Sequence, residues 1–371
     1  MSANTMMKSV FLVLLFLALP PKSCLGFHVS IDLRTSPGRS RFQPFEAAKG
    51  GGGSKGFGGN KSSKPKRPNK ASVVKQLQKK YGGTSPEDIA KGTQRIIDKR
   101  LQNLSSHMQE AVDLYQYIQK WNYQINMMSA SPSSRIPQEQ LDEVKRAEEE
   151  LDELLKTHSL TTADLHNVLQ AATWDASADA KVARSITGNM PTDIQRKVQK
   201  GCDTVATAIG VDGVLLDVGC GFGVMAPFFK KAGVAASQIY GIDLSTEMIR
   251  NAETLYPSSN WTAGDFFAYH PSTAFDAILF CSSLHDLPDP EKALTKAASL
   301  LNPEGIIVVM HAQGASQVLN QVRSNPVLVQ RGLPTVVELQ SLPGVKLIAD
   351  PAAPNSQQES RDGYIAVLQK I

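Results

Sequence analysis

The chain has 371 residues, 42% of them hydrophobic and 20% charged, with a formal net charge of +4. That length accommodates one large domain with additions, or two domains. The positive charge sits at the front: residues 1–80 carry 15 Lys and Arg against two acids, Asp32 and Glu46, while residues 81–371 carry 24 bases against 33 acids. An acidic folded part argues against a nucleic-acid phosphate backbone as partner.

Four cysteines, Cys24, Cys202, Cys220 and Cys281, show no CxxC and no metal-ligand spacing with histidine. They imply no metal and no disulfide framework, and read as free thiols.

Lys8 precedes ten apolar residues, Val10 to Leu19, closed by Pro20-Pro21. Ten residues are too few to span a bilayer but suit a signal-peptide core. Cys24 and Gly26 stand at −3 and −1 of a cut before Phe27, so residues 1–26 read as a signal peptide and the mature chain has no stable membrane span. The following residues are basic, Ser-rich and nearly free of acids, the composition of a transit peptide. A signal peptide joined at Phe27 to such a segment resembles the bipartite plastid-targeting presequences of diatoms and other algae with secondary plastids. The resemblance implies delivery to the plastid stroma, with plain secretion as the alternative. Residues 50–70 are Gly/Ser/Lys/Pro-rich and cannot bury a core, so 27–80 reads as transit-like segment and flexible linker.

Ser85-Pro86-Glu87-Asp88 signals a helix start. Ile97, Leu101, Leu104, Met108, Ala111, Tyr115 and Ile118 then recur at spacings of four and three, a stripe that favours a coiled-coil-like seam against another helix. Ser129–Pro137 breaks it, and Leu141, Val144, Leu151 and Leu155 mark a second, acidic helix. Thr161 to Asp164 opens a third, short one. Residues 84–172 are therefore a helical hairpin arm. It packs on the remaining domain or on itself; the alternative is a partner-binding or self-associating surface.

From residue 173 the chain alternates strands and helices. Strands are expected at Val214–Val218, Gln238–Asp243, Asn260–Ala263, Phe275–Phe280 and Gly305–Met310, with helices at Val224–Lys231, Thr246–Tyr256, Glu291–Leu301 and Ala315–Ser324. Repeated β–α units imply a doubly wound α/β sheet. Val345–Ala349 and Tyr364–Leu368 follow with only a polar loop between them, which suggests an antiparallel hairpin at the sheet edge.

The stretch VLLDVGCGFGV, Val214 to Val224, is a buried strand entering a loop with glycines at 219, 221 and 223. Without a Cβ, such a loop takes positive φ and lets a ligand approach closely. Nicotinamide and flavin enzymes use a similar loop. Three acids sharpen the reading. Asp217 lies inside an apolar strand, where a lone carboxylate needs partners. Asp243 ends the second strand, where an acid accepts hydrogen bonds from ribose hydroxyls. Asp265 ends the third, placed for an amino group, with Phe266 beside it to cover a flat base. Cys220, within the loop, reads as a small side chain that fits.

LLDVGCGFG, GIDLS, AGDF, FDAILFCSSLHDLPDPEKAL and LNPEGIIVV together, over residues 214–310, resemble the class I S-adenosylmethionine-dependent methyltransferases, and most of all the group acting on small molecules. The resemblance implies a Rossmann-like seven-stranded sheet in the order 3-2-1-4-5-7-6 with an antiparallel last strand, over a domain spanning 173–371. It implies S-adenosyl-L-methionine as cofactor and a small-molecule methyl acceptor. Residue by residue, it implies that Asp217 with the backbone of Gly219, Cys220, Gly221 and Gly223 cradles the methionine moiety. Asp243 would hold the ribose, Leu244 and Met248 flank the adenine, Asp265 take its amino group and Phe266 pack beside the ring. Ser282 and His285 would face the reactive end. Many relatives carry Asn where Ser282 stands and His where Asp286 stands. His285 is the first candidate for a general base, then His311; Trp174 is read as core or as a lid. A non-catalytic assembly protein, and methylation of protein or RNA, are the alternatives.

Overall fold

The computed structural model describes residues 70–129, 136–188 and 190–371. The presequence expectations for residues 1–69 lie outside them. Six helices come first: α1 (Lys70–Tyr81), α2 (Pro86–Gln102), α3 (Ser106–Ser129), α4 (Gln138–His158), α5 (Thr162–Thr187) and α6 (Thr192–Ile209). Then follow β1 (Leu215–Val218), α7 (Ala226–Lys231), β2 (Ile239–Asp243), α8 (Thr246–Leu255), β3 (Asn260–Ala263), β4 (Phe275–Cys281), α9 (Pro290–Leu300), β5 (Leu301–His311), α10 (Ala315–Ser324), α11 (Val336–Gln340), β6 (Val345–Ala349), α12 (Gln357–Asp362) and β7 (Tyr364–Lys370).

The seven strands form one sheet in the order β3-β2-β1-β4-β5-β7-β6, as expected. β7 runs antiparallel to both of its neighbours. Alternate side chains feed two cores, which is why the central strands read as unbroken apolar runs. Leu216, Val218, Ile278, Phe280, Ile307 and Val309 share one core with Leu294 of α9 and Val318 of α10. Leu215, Ala277, Leu279, Val308 and Met310 share the other with Cys202 of α6 and Phe229 of α7. Strand order reverses between β1 and β4, so a crevice opens at their carboxyl ends.

The arm differs from its expected form in four places. A helix, α1, occupies the end of the segment expected as linker, because Val73, Leu77 and Tyr81 make a spacing-four stripe that packs on Ala183. The first arm helix is two, α2 and α3, divided where Asn103 caps α2 and the backbone restarts from Ser105. The third helix is not short: α5 runs 26 residues from a Thr161–Asp164 capping box. The boundary expected at 172 falls inside it. The hairpin does pack on the sheet domain, with Leu328 joining Tyr115 and Leu165 in one cluster. At the other end, the β6–β7 connection is not a bare loop but holds α12, capped by Ser356.

Alanines let α5 lie close to its neighbours. Ala172 and Ala176 meet Ile97 of α2, and Ala178 meets Phe222 and Met248. Between them, the buried Asp175 accepts from Ser245 Oγ (2.5 Å) and Glu247 N (3.0 Å), and pairs with Arg100. This carboxylate ties the arm to the first turn of α8. Asp175→Ala should lower stability in urea denaturation by about 3 kcal/mol, since it strands buried donors. Arg100 is 41% exposed, so Arg100→Ala should cost less than about 1 kcal/mol.

Candidate functional site

After β1 the backbone turns through Gly219, Gly221 and Gly223 at φ 70°, 55° and 75°. A Cβ at 219 would lie 2.4 Å from Ser283 Cβ, and one at 223 would lie 2.9 Å from Tyr256 Cδ2. Conformation and space both require glycine there. Gly219 N and Cys220 N donate to Ile242 O, and Gly221 N donates to Asp243 Oδ2 at 2.8 Å. The second acid therefore holds the loop in shape. Its other oxygen accepts from Ser245 N, also at 2.8 Å. Each oxygen keeps a lone pair for a further donor such as a ribose hydroxyl. The expected helix start at Val224 is instead turn, and α7 begins at Ala226 and is six residues long.

Asp217 pairs in register with Gly241 of β2 and Leu279 of β4. It is 1% exposed and its Oδ1 has no hydrogen-bond partner. Burial, and then the charge of Asp243, push its carboxyl up to about 8. Burial raises Asp243 to about 6 against the pull of its two backbone donors. Burial also raises Asp286 to about 7, opposed by His166 and Lys181. An orphaned carboxylate oxygen beside a Cβ-free cradle fits a cationic or N–H-rich group.

At the end of β4, Ser282 is exposed and has φ 56°, a left-handed conformation uncommon outside glycine. Ser283 Oγ donates to Val218 O at 2.5 Å, locking the tip of β4 to β1. His285 is 5% exposed, with Nδ1 unpartnered and Nε2 3.7 Å from Asp286 Oδ1. Its ring meets that of His311 at 5.4 Å and 75°. Burial holds them down to about 4 and about 3, so both are neutral near pH 7. Cys220 is buried and its thiol is raised well above the usual range by burial, consistent with packing alone.

Asp265 accepts from Phe267 N (2.9 Å) and from Asn167 Nδ2 (3.2 Å). Met248 is buried against Phe222 and Ala178, and Leu244 is half-buried. Phe266 does not stand beside the site: its ring is 3% exposed and packs edge-to-face on Phe280 at 5.8 Å, inside the core. A flat base would meet other side chains there.

Sequence reading missed the contribution of α5. His166 Nε2 and Gln170 Nε2 both donate to Asp286 O, at 2.9 and 3.1 Å. Trp174 Nε1 donates to Gln170 Oε1 at 2.8 Å, and the ring packs with Phe222 and Met248. His166, Gln170 and Trp174 recur at spacing four, so they share one face of the helix. This face roofs the crevice, and Trp174 is part of the roof rather than of the sheet core. A groove of about 1040 Å³ lies elsewhere, lined by residues of α6 with Phe228, Ile306 and Ile348; it shares no residue with the glycine loop.

Residues 216–309 match the methyltransferase domain family. The glycine loop and the carboxyl ends of β1, β2 and β4 all lie inside this matched segment. Over 93 residues the chain is 36% identical to trans-aconitate 2-methyltransferase of Escherichia coli (strain 55989 / EAEC); the match covers 25% of this chain and 36% of that relative. Among solved structures, the plantazolicin methyltransferase BpumL in complex with SAH is similar at 19% identity and TM-score 0.39, over 54% of this chain and 93% of that one. Magnesium protoporphyrin IX methyltransferase from Synechocystis PCC 6803, with bound SAM, is similar at 15% identity and TM-score 0.38, over 55% and 95%.

The buried acid sets a pH dependence. The folded value for Asp217 lies above the ~3.9 of an unfolded chain, so the folded form keeps a proton that the unfolded form releases. Stability then falls as pH rises toward about 8. Above pH ~6.5 the two histidines no longer contribute, since their folded values lie below the unfolded one. Thermal unfolding between pH 6.5 and 8 should show stability declining, with roughly 1 kcal/mol per pH unit from this group. Asp217→Asn should flatten that slope and stabilise the ligand-free protein at pH 8.

Proposed function

We propose that the chain is an S-adenosylmethionine-dependent methyltransferase acting on a small molecule. The observation that carries the reading is Asp217: a buried carboxylate with an unpartnered oxygen, beside a positive-φ glycine loop and two further raised acids. S-adenosylmethionine brings an activated methyl group on a positively charged sulfur. Asp217 and the Gly219–Gly223 backbone hold the methionine moiety, Asp243 the ribose, Leu244 and Met248 the adenine faces, and Asp265 the adenine amino group. The three raised acids, Asp217, Asp243 and Asp286, favour a cation in a place where water is scarce.

The protein's share of the chemistry is alignment and exclusion of water, which can supply ~7–11 kcal/mol. The roof made by α5 serves both ends. Ser282, at the end of β4, borders the reactive end. His285 is uncharged at neutral pH, with a buried acceptor or donor nitrogen at Nδ1. A base of that strength takes the proton of an acceptor already bonding to the methyl carbon; it does not generate an alkoxide beforehand. The acidic folded part and the match to methyltransferases named for small molecules support a small acceptor.

Calorimetry with the chain should detect binding of S-adenosylmethionine, and Asp243→Ala should weaken it tenfold or more. Wild-type affinity in that variant would remove the ribose assignment. Affinity for S-adenosylmethionine should also rise between pH 6 and 8.5 more steeply than affinity for S-adenosylhomocysteine, whose sulfur is neutral, because the acids must shed protons to meet the positive sulfur. Equal slopes would separate the acids from the sulfur.

The first 69 residues are proposed to deliver the protein to a plastid. A fluorescent fusion of that segment should accumulate in the stroma of an alga with a secondary plastid; accumulation in the medium would mean secretion.

A further inference from the structure

Lys181 lies on the roof helix, seven residues beyond Trp174 and therefore two turns along the same face. A helical side chain leans back toward the N-terminus, and the Lys181 ammonium sits 4.3 Å from the centre of the Trp174 ring. Trp174 in turn packs on Phe222 of the glycine loop and on Met248. This chain of contacts puts a half-buried positive charge directly above the crevice. Asp286 and Asp243 are near enough to favour its charged form, against burial and the charge of Arg184.

Its donors are unspent. Among the described residues, no carboxylate lies within 4.0 Å of Lys181 Nζ and no hydrogen bond holds it. Three part-buried lysines of the chain spend theirs. Lys80 binds Asp179 at 2.8 Å, Lys296 donates to Phe267 O and Lys370 to Leu301 O, both at 2.7 Å. An ammonium held half out of water, with three N–H donors and only an aromatic face for company, is costly unless something accepts from it. The charge pattern narrows that something. One lysine charge suits one carboxylate group of a ligand. Asp217 asks for a positive group and Lys181 for a negative one, a pair of demands that an amino-acid zwitterion meets.

We propose that Lys181 is a carboxylate-binding residue of the crevice, a role that rests on the methyltransferase reading of the same site. The carboxylate comes either from the methionine end of the cofactor or from an acidic methyl acceptor.

The test is calorimetry on the full chain as wild type, Lys181→Met and Lys181→Arg, with two nucleosides. S-adenosylhomocysteine carries the carboxylate, and 5′-methylthioadenosine lacks it. If the cofactor supplies the carboxylate, Lys181→Met weakens S-adenosylhomocysteine at least tenfold and 5′-methylthioadenosine less than twofold, while Lys181→Arg stays within threefold of wild type. The unchanged nucleoside also reports that the variant is folded. Equal losses for both nucleosides overturn the proposal. If neither nucleoside responds, trans-aconitate is titrated into the S-adenosylhomocysteine-saturated proteins. Binding by wild type that Lys181→Met lacks assigns the carboxylate to the acceptor, and no difference between the two overturns the proposal. Failure of wild type to bind either nucleoside removes the methyltransferase reading instead, and the tricarboxylate titration on free protein then still decides the role of Lys181.

Discussion

Asp217 cannot be solvated where it stands. The strand it belongs to is an interior strand of a seven-stranded sheet, where the residue is flanked by Gly241 and Leu279, and water does not reach its Oδ1. A carboxylate in such a place either keeps its proton or acquires a cation. Much of the surrounding architecture follows from that choice. The glycines bring backbone within reach of whatever sits beside it, Asp243 fixes the loop through Gly221 N, and Ser283 ties the neighbouring strand to the tip of β1. A crevice built to want positive charge, at the reversal of strand order, is the physical content of the methyltransferase domain match.

The sheet was legible because most of its strands are short apolar runs with abrupt polar ends; Asp243 sits at such an end, while Asp217 stands out by lying inside one. Strand order came from the family resemblance, while the antiparallel edge hairpin was already suggested by the polar gap between Val345–Ala349 and Tyr364–Leu368. Helix α5 was not legible at its true length. Its buried positions include Asp175 and Asp179 among alanines, so no apolar stripe announces burial. Those acids are buried because Arg100 and Lys80 reach them from helices far away in sequence, and no local pattern encodes that. The same blindness hid α1, whose three buried side chains stand in a run of lysines, and α12, whose core-facing residue is the buried Glu359.

Phe266 shows the limit of carrying roles across a resemblance. Position in the motif placed it beside a base; Phe280 across the core claimed the ring instead. Asp265 shows the opposite. Its placement at the end of β3 was readable, but its partner Asn167 comes from 98 residues upstream, outside the segment that matches the family.

Helix α5 belongs at once to the arm and to the crevice. One side packs on α2 through Ala172 and Ala176, and the other touches Asp265, Asp286 and the start of α8. Thermodynamic linkage then makes the two ends reciprocal. Any partner that grips the arm and shifts α5 alters how tightly the crevice holds its ligand, and ligand in the crevice alters the grip on that partner by the same factor. The helices that lack chemistry of their own are in this sense a handle on the chemistry beneath them.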